Sequence, residues 1–184
     1  DQIKETVRLA SGLDANNNLT KASQMFALEV LSRFSERLSN FKKSEVRVVA
    51  TSTLRVANNA ADFITIANKA LGFPIEVISG KEEARLIYIG AMHSLAYTTE
   101  KRLVIDIGGG STEFIIGEGY EPQIMESVTM GCVSYTGRYF TDGQLTEANF
   151  NNAIYAARSK IHSMEHLFAE HDWLLAIGTS GTAK

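Results

Sequence analysis

Cysteine is almost absent from this sequence: Cys132 is the only one in 184 residues. A lone cysteine excludes an internal disulfide framework and a cysteine-based zinc site. It fits a reducing cytoplasm, the expected location. Proline is equally scarce, two against 14 glycines. Mostly regular elements are therefore expected, and the glycines matter by position. Neither sign of charge dominates, with 18 basic and 21 acidic side chains and a net charge of −3. That balance gives no general attraction to nucleic acid polymers or anionic membranes, so a polyanion would need a local positive site. No apolar run approaches the roughly 20 residues of a membrane span, and no membrane insertion is expected. The charged start, DQIKETVRLA, does not read as a signal peptide.

What remains is ordinary globular composition, 45% hydrophobic and 21% charged. The length suits one large domain or two small ones with a proper core. The chain opens at Asp1 without a methionine and stops in LLAIGTSGTAK, a strand entering a glycine turn. A piece cut at both ends from a longer protein is the expectation.

Periodicity predicts the elements. LTKASQMFALEVLSRFSERLSNF carries Phe26, Val30, Leu31, Phe34 and Leu38 at helical spacing, with Thr20 as N-cap. EVRVVAT alternates and is β-branched, hence a strand. A turn at Thr51–Thr53 leads to a helix through AADFITIANKAL, closed by Gly72. FPIEVISG is a short strand, and KEEARLIYIGAMHSL a helix with Glu82 and Glu83 in its first turn. RLVIDIGGG is a buried strand ending in three glycines. STEFIIGEGYEPQIMESVTMG reads as two strands joined at Gly119, EANFNNAIYAARSKIHSMEHLFAEH as one long helix, and WLLAIGTSG as a last strand and turn. The change of character predicts a junction near residues 87–100, with domains at 1–87 and 88–184.

IDIGGGSTEFIIG is the most informative stretch. A strand delivers Asp106, the chain turns through Gly108, Gly109 and Gly110, and a strand follows. Glycines let backbone amides approach an anion closely, and Ser111 and Thr112 add hydroxyl donors. Asp106 and Glu113 are candidates for holding a divalent cation. A dinucleotide-binding fingerprint needs a helix after the glycines, and here a strand follows. A Walker A loop needs a lysine before the Ser or Thr, where Gly110 stands. A strand–glycine turn–strand phosphate hairpin is left, set against a tight hairpin that binds nothing.

IDIGGGSTEF, together with TSTLR, ISGKEEARLIY, MGCVS and AIGTSGT in that order, resembles the exopolyphosphatase/guanosine pentaphosphate phosphohydrolase family of the actin/Hsp70/sugar-kinase superfamily. The resemblance covers nearly the whole chain. It implies an α/β, actin-like (ribonuclease H-like), two-domain ATPase-type fold, residues 1–87 being the remainder of domain I and 88–184 the first part of domain II. Members carry a first phosphate loop of the Asp-x-Gly-Ser-Asn-Ser type ahead of the region matching Arg8–Leu13. That loop and the C-terminal part are missing here, so activity of this piece alone is not expected.

The implied reaction is Mg2+-dependent hydrolysis of the terminal phosphoanhydride of inorganic polyphosphate, with removal of the 5′ γ-phosphate of guanosine pentaphosphate as the alternative. A homodimer is implied for the full-length protein. Hydrolysis needs a phosphate cradle, a metal, a cation and a water-orienting base. The resemblance carries the cradle onto Gly108, Gly109, Gly110 and Ser111, and the metal ligands onto Asp106 and Glu113. Spacing alone leaves Glu82 and Glu83 equal, since adjacent helical positions point about 100° apart and only one faces a given site. The resemblance selects Glu83 as general base. It makes Arg55 a phosphate ligand, against the bland reading of a surface arginine beside a cap. Gly178, Ser180 and Gly181 are candidates for a further anion-binding turn. Lys81 and Arg85 are available to attract a polyanion.

Three other readings compete. His162, Glu165 and His166 spell the H-x-x-E-H pattern of a zinc protease, but a hydrolytic site needs a third protein ligand and only 18 residues follow His166. Cys132 is a candidate nucleophile, but it has apolar flanks and no histidine nearby in sequence, so it reads as a buried small residue shaping the junction beneath the phosphate hairpin together with Met130. A non-hydrolytic, actin-like nucleotide-binding module is the alternative from another class. Such a module needs no base at Glu83.

Overall fold

The structure is a computed structural model that describes residues 2–183. The chain divides into two compact units, Asp1–Ile78 and Ser79–Lys184.

In the first unit, Thr20 caps α1 (Lys21–Leu38), its hydroxyl accepting from the Ser23 amide. Ala27 and Val30 are the buried positions of α1, while Phe26, predicted on the core stripe, is 45% exposed. Strands β1 (Val48–Ala50) and β2 (Ile75–Val77) pair in parallel. Between them lie α2 (Ser52–Val56) and α3 (Ala60–Leu71). The predicted turn at Thr51–Thr53 is thus the start of a short helix, whose Leu54 reaches the core formed by Leu19, Ala27, Ala57, Phe63 and Ala67. Gly72 ends α3 in the left-handed region, φ 83°.

The second unit begins with α4 (Gly80–His93), capped by the Ser79 hydroxyl on the Glu82 amide. Next come β3 (Lys101–Ile107), β4 (Thr112–Glu118), β5 (Glu121–Val128), α5 (Cys132–Tyr139), α6 (Glu147–His162), α7 (Glu165–Ala169) and β6 (Leu175–Thr179). The sheet order is β5-β4-β3-β6, with β3–β4–β5 antiparallel and β6 parallel to β3. A β-bulge between Ile116 and Gly117 interrupts the β4–β5 pairing.

Alternation along the strands covers both faces of this sheet. Val104 and Ile115 pack under Ala84, Tyr88 and Met92 of α4. Leu103 and Ile116 pack on the other face against Met164 and Phe168, at the start of and within α7. Ala84, Tyr88, Val104, Ile115 and Ile116 are fully buried. Each large apolar side chain so placed contributes about 1.5–3 kcal/mol. This burial explains why the units divide at Ile78/Ser79 and not at 87/88. The expected boundary would cut α4 through the face that covers the sheet.

The predicted long helix is two helices. α6 stops at His162, where Ser163 is the C-cap and its hydroxyl donates to the Lys160 carbonyl at 2.7 Å. The α/β class expected from the sequence holds. Among the described residues no helix is long and apolar enough to cross a membrane.

Candidate active site

The second unit brings most of the predicted site residues to one level of the sheet. Asp106 on β3 stands directly opposite Glu113 on β4. Glu113 in turn faces Ser127 on β5, and Asp106 faces Thr179 on β6. Residues directly opposite share a face. Two residues from Val104 and from Ile115, the carboxylates therefore lie on the α4 side of the sheet.

Glu113 is 1% exposed. Its Oε1 accepts from the Ser127 hydroxyl at 2.8 Å, whereas its Oε2 is buried without a hydrogen-bond partner. Burial pushes the Glu113 carboxyl above the usual carboxylate range. The Ser111 and Ser127 hydroxyls oppose that shift, and the Glu83 and Asp106 charges add to it. Asp106 Oδ1 accepts from the Thr179 hydroxyl.

Glu82 and Glu83, equal by spacing, are distinguished by their surroundings. Arg85 grips Glu82 through two hydrogen bonds of 2.7 and 2.8 Å. Glu83 is near enough to Glu113 for its charge to act on that carboxyl. Lys81 is paired with Glu126 at 3.0 Å, so both cations expected to draw in a polyanion already have acidic partners.

The glycine turn is fixed from behind. The Gly108 carbonyl accepts from the Cys132 amide at 3.0 Å, and the Gly109 carbonyl from Val133 and Ser134 at 2.9 and 3.1 Å. The first amides of α5, otherwise without helical partners, hold the turn by its carbonyls. Among the described residues the Gly109 and Gly110 amides donate to no protein acceptor. Neither Gly108 nor Gly109 adopts a positive φ. At Gly109 glycine serves close packing, since a Cβ there would sit 3.3 Å from Val133 Cγ2. Gly131 is tighter still, its own Cβ position falling on the Gly109–Gly110 peptide.

Ser111 is buried, 5% exposed. Ser180 turns the chain after β6 with φ 69°, between Gly178 at the strand end and Gly181. Arg55 stands in the first unit, in the last turn of α2, where its guanidinium donates to the Ile78 carbonyl at 3.0 Å. Cys132 is exposed at the start of α5, contrary to the expected burial, because its amide rather than its side chain meets the glycine turn. His162 Nδ1 lies 3.0 Å from Glu165 on the surface across the α6–α7 break, so the two histidines do not share one continuous helix.

Oxygen donors at Asp106 and Glu113 suit a hard divalent cation, and the orphaned Glu113 Oε2 is the observation that fits one. Among the described residues no three His, Cys, Asp or Glu gather to hold a metal. A magnesium ion that takes its other ligands from water and phosphate needs only one or two carboxylates.

A three-stranded meander extended by a parallel strand, with a glycine turn at the end of its first strand, defines an α/β protein of the class expected from the sequence. The chain belongs to the Ppx/GppA phosphatase family, whose model matches residues 1–184. It is 47% identical over 183 residues to the guanosine-5′-triphosphate,3′-diphosphate pyrophosphatase of Vibrio cholerae, an alignment covering 100% of this chain and 37% of that protein. Among solved structures, an exopolyphosphatase-like protein superposes with a TM-score of 0.89 at 28% identity, covering 97% of this chain and 56% of that one. An exopolyphosphatase from Cytophaga hutchinsonii gives a TM-score of 0.82 at 26% identity, covering 97% and 57%. The chain thus spans 37% of the curated relative and little more than half of these solved ones.

Proposed function

We propose that the full-length protein hydrolyses a terminal phosphoanhydride, with guanosine pentaphosphate as substrate. The observation that best supports hydrolysis is Asp106 directly opposite Glu113 next to a glycine turn whose Gly109 and Gly110 amides donate to no protein acceptor among the described residues, with Glu83 near enough for its charge to act on Glu113. In this reading the Gly109 and Gly110 amides donate to oxygens of the transferred phosphoryl group. Glu83 accepts a proton from the attacking water. Asp106 and Glu113 would hold Mg2+, which when bound neutralises charge on the phosphates. Arg55 and the Gly178, Ser180 and Gly181 turn are proposed as further phosphate contacts.

The 47% identical relative, named for a guanosine substrate, favours guanosine pentaphosphate. The second reading is inorganic polyphosphate, favoured by solved relatives named as an exopolyphosphatase and an exopolyphosphatase-like protein, at 26% and 28% identity. The test is orthophosphate release by the full-length protein with each substrate in turn. A kcat/KM at least tenfold higher on guanosine pentaphosphate is expected. The reverse order would select the second reading, and release from neither would refute hydrolysis.

A further inference from the structure

Each strand of the second unit's sheet places one polar residue at the same level: Ser127, Glu113, Asp106 and Thr179, in spatial order. Two hydroxyls flank two carboxylates. The Ser127 hydroxyl donates to Glu113 Oε1 at 2.8 Å. The Thr179 oxygen lies nearer Asp106 Oδ1 than the Ile105 carbonyl, which is 3.5 Å away, so its single proton goes to the carboxylate. Both hydroxyls sit on the outer strands and bind one oxygen of the inner residue beside them.

We infer that Ser127 and Thr179 are positioning residues, a pair of hydroxyls that hold one oxygen each of Glu113 and Asp106 and so present the other oxygens to a divalent cation. The inference rests on the reading of Asp106 and Glu113 as cation ligands. Glu113 Oε2 is the oxygen left over on one side, buried and without a protein partner. Two adjacent carboxylates repel each other, and without outer donors each is free to turn away about its terminal torsion. A hydroxyl fixed on a neighbouring strand removes that freedom before the cation arrives, which is how outer groups tune metal ligands. Neither hydroxyl needs to touch substrate.

The experiment measures Mn2+ binding by electron paramagnetic resonance in the full-length protein, without substrate, alongside the Mg2+ concentration giving half-maximal phosphate release. Ser127→Ala and Thr179→Val should each weaken Mn2+ binding about 10- to 100-fold. The Mg2+ requirement should rise in step. Ser127→Thr and Thr179→Ser restore a hydroxyl and should bind Mn2+ within about threefold of the parent. Should Ser127→Ala fail to fold, Thr179→Val at the sheet edge decides alone. Mn2+ affinity within twofold of the parent in the hydroxyl-free variants would overturn the inference, as would a parent that binds no Mn2+. A parent that binds Mn2+, loses affinity in these variants, yet releases no phosphate would refute hydrolysis and uphold the positioning role.

Discussion

Gly131→Ala tests whether the phosphate turn is placed by the helix behind it. A Cβ at position 131 would lie 2.5 Å from the Gly109 carbonyl oxygen and as close to the Gly109–Gly110 peptide. The obstacle is backbone, so no side-chain rotation relieves it. Ordinary contact returns only when the turn and α5 part by about 1 Å. That movement stretches the bonds of 2.9–3.1 Å from Cys132, Val133 and Ser134 to about 4 Å, beyond hydrogen-bond range. Overpacking of this kind costs about 1–3 kcal/mol. Each kcal/mol lowers Tm by roughly 2–4 °C in a chain of about 150–250 residues and by less in a longer one. A catalytic group misplaced by about 1 Å costs on the order of 100-fold in rate. Gly131 has φ −145° and ψ 161°, a conformation open to alanine, so backbone strain does not confuse the result. Gly137→Ala is the control on the same helix: nothing lies within 4 Å of its Cβ, and Tm should hold or rise. Phosphate release and thermal melts of the full-length variants give the readout. Parental kcat/KM and Tm in Gly131→Ala would refute the reasoning.

Other outcomes follow from the same geometry. Glu83→Gln should lower kcat by about 100- to 10,000-fold, with Mn2+ still bound; unchanged phosphate release would remove Glu83 as base. Glu113, with its carboxyl pushed up mainly by burial, contributes fully to stability below its unfolded pKa. That contribution is lost as pH rises through the higher folded value. With chelator present, Tm of the parent should therefore fall across the window above the ordinary glutamate range, and Glu113→Gln should flatten that limb; parallel curves would count against it. Ser79→Ala removes the cap of α4, a 3.1 Å bond, and should cost about 1 kcal/mol in denaturant unfolding.

Much of the second unit was legible because its strands alternate between two covered faces. RLVIDI and TEFIIG each supply apolar side chains to α4 on one side and to α7 on the other. The Gly119 turn and the Thr20 cap also follow from local chemistry. Helix ends were less legible: α6 stops before Ser163 inside an otherwise periodic run, and TSTLR folds as a helix where a turn is expected. Asp106, Glu113 and the glycines stood out in the sequence through their clustering about one turn. Ser127, Thr179 and Gly131 did not, because their roles come from strand pairing and backbone proximity 14 to 73 residues away. The contrast between Glu82 and Glu83 needed the position of Arg85.

The irregularity in the β4–β5 hairpin chooses the neighbour of the buried carboxylate. Next to the turn Glu118 pairs with Glu121, and Gly117 with Pro122. Counted onward without interruption, Glu113 would face Glu126, adding a negative charge beside a carboxylate that already has Asp106 opposite it. One surplus residue on β5 moves the count along, so that Ile116 faces Ile124 and a serine arrives beside Glu113. Glu126 faces Phe114 instead, and its carboxylate pairs with Lys81. A donor instead of a rival anion at that place is thus the work of a single extra amino acid near the hairpin tip.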